Sequence, residues 1–107
     1  MKRYQVSYTT DASYDLLAIS IGIISEYSDP MGAKRTTDKI ASRCESLSVF
    51  PEVSPVKAVI MGKKIYFAHS GKFTIIYTID KSKYRVVIYR IVGSMMNIDK
   101  ILKNIAT

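Results

Sequence analysis

Cysteine and histidine each occur once in 107 residues, and those two scarcities remove several chemistries at the outset. Cys44 alone closes no internal disulfide, a usage that fits a reducing compartment. One histidine and one cysteine also fall short of the usual zinc spacings. No glycine-rich phosphate loop and no Ser-x-Gly elbow occurs, so no cofactor is expected. Long apolar runs are missing too. The nearest, Leu16 to Ser25, is well short of the ~20 residues a bilayer requires and contains Ser20 and Gly22, so no membrane association is expected. The opening MKRYQVSYTTDAS alternates where a signal peptide needs an unbroken apolar stretch, and the expected location is the cytoplasm.

Acidic residues are scarce in one half of the chain only. Residues 1–52 hold 6 Lys/Arg against 7 Asp/Glu, whereas residues 53–107 hold 10 against 2. The overall formal charge of +7 is therefore a local feature of the second half. Because that half reads as β-strands, the basic surface is expected on a sheet, where it attracts a polyanion or an acidic protein that covers it. Residues 1–107 are expected to form one domain, long enough to bury a real core.

Residues Lys2 to Tyr8 alternate as a half-buried strand with Tyr4, Val6 and Tyr8 on one side. Thr9, Thr10 or Asp11 can cap a helix whose apolar stripe is Ala12, Leu16, Ile19 and Ile23, ending near Tyr27. Ser28-Asp29-Pro30 breaks the chain and starts a second helix, with Ala33, Thr37 or Thr36, Ile40, Cys44 and Leu47 inward and Pro51 as its stop. So short a link predicts an antiparallel helical hairpin. Val56 to Met61 and Ile65 to His69 are extended pieces around Gly62-Lys63-Lys64, forming either a hairpin or one interrupted strand. Phe73 to Asp80 is apolar on both faces and is expected to be central. Asp80-Lys81-Ser82-Lys83 turns the chain into a strand ending at Val92, and Asn97 can cap a short terminal helix. The predicted fold is a two-layer α+β domain in the order strand, helix, helix and β-meander. The helical hairpin packs on a mainly antiparallel sheet, and a short C-terminal helix follows.

These residues carry a family resemblance. YQVSYTTDASYDLLAISIGI, with Ala12, Asp15, Leu16 and Ile19, resembles the opening of RelE/ParE-type toxins. Pro30 with Ala33, the Leu47-x-x-Phe50-Pro51 segment, Phe73-x-Ile75-x-Tyr77-x-Ile79-Asp80 and Val87-x-x-Arg90-Ile91 follow in that family's order. The resemblance implies the toxin of a type II toxin–antitoxin or plasmid-stabilisation module. Such a toxin is neutralised by a cognate acidic antitoxin and acts on translation, by cutting messenger RNA at the ribosome, or on DNA gyrase. The alternative is a binding module on the same fold that engages only antitoxin or nucleic acid.

The ribonuclease branch usually carries arginines where this chain has Thr74 and Met95. Neither residue can assist a 2′-hydroxyl attack or steady a pentacovalent phosphate. Substitute catalytic groups are Tyr66, His69 and Arg90. The first two lie near the Ser70-Gly71 turn, as does Lys72, and could also be ordinary packing or solvated residues. Arg90, in an apolar strand end, needs either a bound anion or an internal partner among Asp15, Asp80 and Asp99. The substrate-binding cations expected on the strands are Lys57, Lys63, Lys64, Lys72 and Arg85. The cations of the second helix, Lys34, Arg35, Lys39 and Arg43, read as a solvated ion-paired face.

Overall fold

The computed structural model describes residues 3–93 and 96–105. The chain runs β1 (Gln5–Tyr8), α1 (Thr10–Tyr27), α2 (Pro30–Ser46), β2 (Val56–Ile60), β3 (Lys63–Ser70), β4 (Phe73–Asp80), β5 (Arg85–Val92) and α3 (Ile98–Ile105). The five strands lie in the order β1-β5-β4-β3-β2. β1 runs parallel to β5, and the other three pairs are antiparallel.

Local chemistry fixes the helix ends. Thr9 is the cap of α1, its Oγ1 accepting from the Ala12 N–H at 3.1 Å. Ser28 ends the helix in the left-handed region at φ 50°. Asp29 then caps α2 through the Gly32 N–H at 2.8 Å, with Pro30 in the first turn where its missing N–H costs nothing. α2 stops at Ser46, five residues before the expected stop at Pro51. Pro51 instead anchors the following loop, its carbonyl accepting the buried Tyr77 hydroxyl at 2.7 Å. Whether β2 and β3 form a hairpin is settled by Met61 and Gly62, both at positive φ (50° and 81°), the two-residue turn whose twist matches paired strands.

The sheet has two faces with different covers. On one, Ala12, Ile40, Cys44 and Leu47 of the helical hairpin bury Tyr66, Ala68, Ile75, Tyr77, Val86, Ile88 and Ile91. On the other, α3 lays Ile101, with Ile98, Leu102 and Ile105, over Ile65, Ile76 and Val92. Asn97 caps that short helix as expected, accepting from the Lys100 N–H at 3.2 Å. β4 is buried on both sides from Ile75 to Thr78, as the apolar residues on both of its faces predict.

The pairing of β4 with β5 has one irregularity. Ile76 pairs with Arg90 but Tyr77 pairs with Ile88, so Tyr89 is an extra residue in β5, a β-bulge. The bulge reverses the alternation of side chains, which lets Ile88 and Ile91, three apart, enter the same core.

Burial also makes the fold sensitive to alkali. Desolvation, followed by the neighbouring Cys44, pushes the Tyr8 phenol well above its ordinary range. Burial likewise raises the Cys44 thiol and the Tyr77 phenol. Groups whose native pKa is raised favour the native state fully below their unfolded values and lose that contribution as pH climbs towards the native ones. The unfolded values are about 8.5 for Cys and about 10 for Tyr. The urea midpoint is therefore expected to hold through pH 8 and fall progressively above about pH 9. A midpoint unchanged to about pH 11 would contradict the burial of all three groups.

Candidate target-binding face

α3 covers only part of the sheet face it packs on. The uncovered part lies where β3 begins, β4 ends and β5 begins. Pairing of β3 with β4 reaches only Tyr66–Tyr77, so Lys63 and Lys64 splay from Ile79 and Asp80. The gap is an open cleft of about 480 Å³ lined by Gly62, Lys63, Lys64, Tyr66, Thr78, Ile79, Asp80, Lys81, Val87 and Tyr89. Tyr89, two residues after Val87, faces it by strand alternation. Lys63 Nζ donates to the Tyr89 hydroxyl at 3.0 Å and lies 5.5 Å from its ring centre. That hydrogen bond raises the Lys63 pKa and keeps the ammonium charged. Arg85, two residues before Val87 on β5, faces the same side by strand alternation.

The charge balance of this end is one-sided. Lys81 is paired with Glu52 at 2.9 Å. Among the described residues, Lys64 and Arg85 have no carboxylate within ion-pair distance. The one carboxylate in the cleft, Asp80, is turned into the next turn, where it accepts from Ser82 Oγ at 2.7 Å and from the Lys83 N–H at 3.2 Å. The Ser82 hydrogen bond comes first in holding its pKa below the usual carboxylate value. An acid so stabilised as an anion is a weak base. The cleft can therefore hold a phosphate or carboxylate by charge-assisted hydrogen bonds, but it has no strong proton acceptor. No group of three metal-ligating side chains exists among the described residues.

The structure separates the residues expected to act together. Tyr66 is buried on the helix side, stacked on Tyr77 with ring centres 5.3 Å apart, so it is core with only its margin at the cleft. His69 projects from the other face at the far end of β3, its Nδ1 3.3 Å from Thr74 Oγ1. The two are three residues apart, and an odd spacing in a strand puts side chains on opposite faces. Arg90 is an internal ion pair. Its Nε and Nη2 donate to Asp15 at 2.7 and 3.0 Å, with both side chains largely buried. Asp15 also accepts the Ile91 N–H at 2.8 Å, and Thr9 Oγ1 donates to the Tyr89 carbonyl at 2.8 Å. The start of α1 thus satisfies the backbone of the bulge, and Arg90 is spent there.

The expected cations divide similarly. Lys63, Lys64 and Arg85 share the basic end. Lys57 is the extra residue of an irregularity in the edge strand β2. Lys72 lies at the opposite end of the sheet, its ammonium 5.6 Å from the Phe73 ring centre. Met95 lies outside the described residues. On α2, Lys34 pairs with Asp38 at 2.8 Å, while Arg43 donates instead to the His69 carbonyl at 3.2 Å and to Ser46. The sequence reading missed Thr78 and Lys81 as cleft residues. Lys81 sat in a segment legible only as a turn, and Thr78 in a strand legible only as core.

A family model described as the ParE toxin of the parDE type II toxin–antitoxin system matches residues 6–98. No curated protein matches. Among solved structures, the chain is similar to one from the chromosomal ParDE toxin–antitoxin system of Pseudomonas aeruginosa, at 17% identity and a TM-score of 0.68. That alignment covers 85% of this chain and 96% of the other. It is similar to a chain of the RelBE2 toxin–antitoxin complex of Mycobacterium tuberculosis at 22% identity and a TM-score of 0.67, covering 90% and 97%. A chain of the archaeal RelE–RelB complex of Pyrococcus horikoshii aligns at 16% identity and a TM-score of 0.53, covering 89% and 99%. At such identities these structures speak for the fold.

Proposed function

The chain belongs to the ParE family of toxins of type II toxin–antitoxin systems, and we propose that it arrests growth by binding DNA gyrase rather than by cutting messenger RNA. A cognate acidic antitoxin holds it inactive by covering the basic end of the sheet. The observation that carries this reading is the cleft. Its free cations gather around Tyr89 without a strong base, while His69 stands at the far end and Arg90 is bound to Asp15. Cleavage through a 2′-hydroxyl needs a proton acceptor and cations at one phosphate, and these side chains do not meet. Binding and holding a large target needs only the charge and the shape.

Expression of the full chain from a tight promoter tests the reading. Growth is expected to stop, with DNA damage appearing before protein synthesis declines. Protein synthesis failing first, with cut transcripts, would overturn the gyrase assignment. Unaltered growth in cells that contain the folded protein would leave a module that binds antitoxin or nucleic acid without poisoning the cell.

A further inference from the structure

α1 is apolar on two opposite sides. One side, Ala12, Leu16 and Ile19, packs into the core under the sheet, as its spacing demands. The other is made of Tyr14, Leu17, Ile21 and Ile24, all in solvent, with Leu17 and Ile21 each 54% exposed. Their spacing of three, four and three residues keeps them in one line about opposite the core side, the seam pattern by which helices pair. Single exposed hydrophobics are ordinary, but four in a row on one helix mark an interaction surface.

The seam reads the same in both directions. An antiparallel partner centred beside Ile19 sets Leu17 against Ile21 and Tyr14 against Ile24, and a two-fold axis repeats both pairs. The residues flanking the line, Ser13, Ala18, Ser20 and Ser25, are small and uncharged, so two helices can approach closely without like charges meeting. No Cβ added at Gly22 would meet another atom, so that part of the helix is open as well. α1 carries Asp11, Asp15 and Glu26 and no cation, which makes it poor ground for an acidic chain, whereas the basic end of the sheet suits one. α2 beside it presents Lys34, Arg35, Asp38 and Lys39, so the apolar surface is a single ridge rather than a broad groove.

From these observations we infer that the Tyr14–Leu17–Ile21–Ile24 ridge is the contact between two copies of this chain, packed as an antiparallel, two-fold symmetric pair of α1 helices. The inference stands apart from the assignment of the target, because it needs neither the basic cleft nor any activity. It leaves the basic ends of both copies free.

Sedimentation equilibrium of the full chain is expected to show a concentration-dependent dimer of the 12.1 kDa protomer. Leu17→Lys and Ile21→Glu, tested separately, should each weaken it at least roughly 100-fold, because each puts a charge into the seam twice. Both sites are exposed, so the far-UV spectrum should stay unchanged, and the melting temperature should match that of the wild type at concentrations too low for it to dimerise. Mixing the two variants should restore a heterodimer, since the introduced ammonium of one copy then faces the introduced carboxylate of the other while the second pair remains Leu17 against Ile21. A wild-type chain monomeric to about 100 μM, well above the micromolar range of a weak specific complex, or a dimer indifferent to either substitution, would overturn the inference. So would two monomeric variants that fail to associate on mixing, which removes the antiparallel register. Loss of antitoxin binding by Leu17→Lys would assign the ridge to the antitoxin instead.

Discussion

Asp15→Ala is expected to be the most damaging substitution of a charged residue in α1, lowering stability by about 3 kcal/mol. The Asp15 carboxylate receives three hydrogen bonds, two from the Arg90 guanidinium and one from the Ile91 N–H. Removing it leaves a largely buried cation and a backbone donor unpaired at the bulge, and orphaned groups of this kind cost more than the net strength of the bonds that held them. For a domain of this size about 3 kcal/mol corresponds to a fall of at least roughly 12 °C in melting temperature. Arg90→Ala should cost less, because Asp15 keeps the Ile91 N–H and can draw water. Thermal unfolding of both variants checks the order. Equal and small losses would mean that the bulge is held by strand pairing alone.

The second large effect belongs to the basic end of the sheet. Replacing Lys63, Lys64 and Arg85 together by Ala is expected to abolish growth arrest while leaving the melting temperature within about 2 °C, since all three side chains are exposed. Each exposed charge contributes up to about 1 kcal/mol to a contact, so three lost contacts weaken target binding about 100-fold. The salt dependence of antitoxin binding should flatten in the same variant, because the proposed antitoxin contact uses the same cations. A triple variant that still stops growth as the wild type does would remove the cleft as the target-binding site. Changing Lys72 to Ala is the control, because it lies at the opposite end of the sheet against Phe73.

Much of the architecture was legible without coordinates because it rests on local rules. Thr9 and Asp29 are cap residues followed by helical apolar periods, and Asn97 begins α3 by the same chemistry. β4 had to be central because both of its faces are apolar. The charge of the second half pointed to a basic sheet, and the structure narrows that to one end. Arg90 is instructive, since an arginine in an apolar strand end had to have a partner, but spacing could not choose among Asp15, Asp80 and Asp99.

The sequence by itself determined the elements, their order and the sign of the exposed charge, since caps, periods and composition act over a few residues. Tertiary structure decided which side chains meet. An extra residue at Tyr89 carries no mark in the sequence, yet it reverses the alternation of β5, so that Ile91 follows Ile88 into the core and its N–H meets Asp15 beside Arg90. Strand register is a long-range property, set by pairing and packing between segments far apart in the chain. Strand alternation by itself puts Tyr66 and His69, three residues apart, on opposite faces of the sheet, whereas the choice of Asp15 as the partner of Arg90 came only with the folded chain.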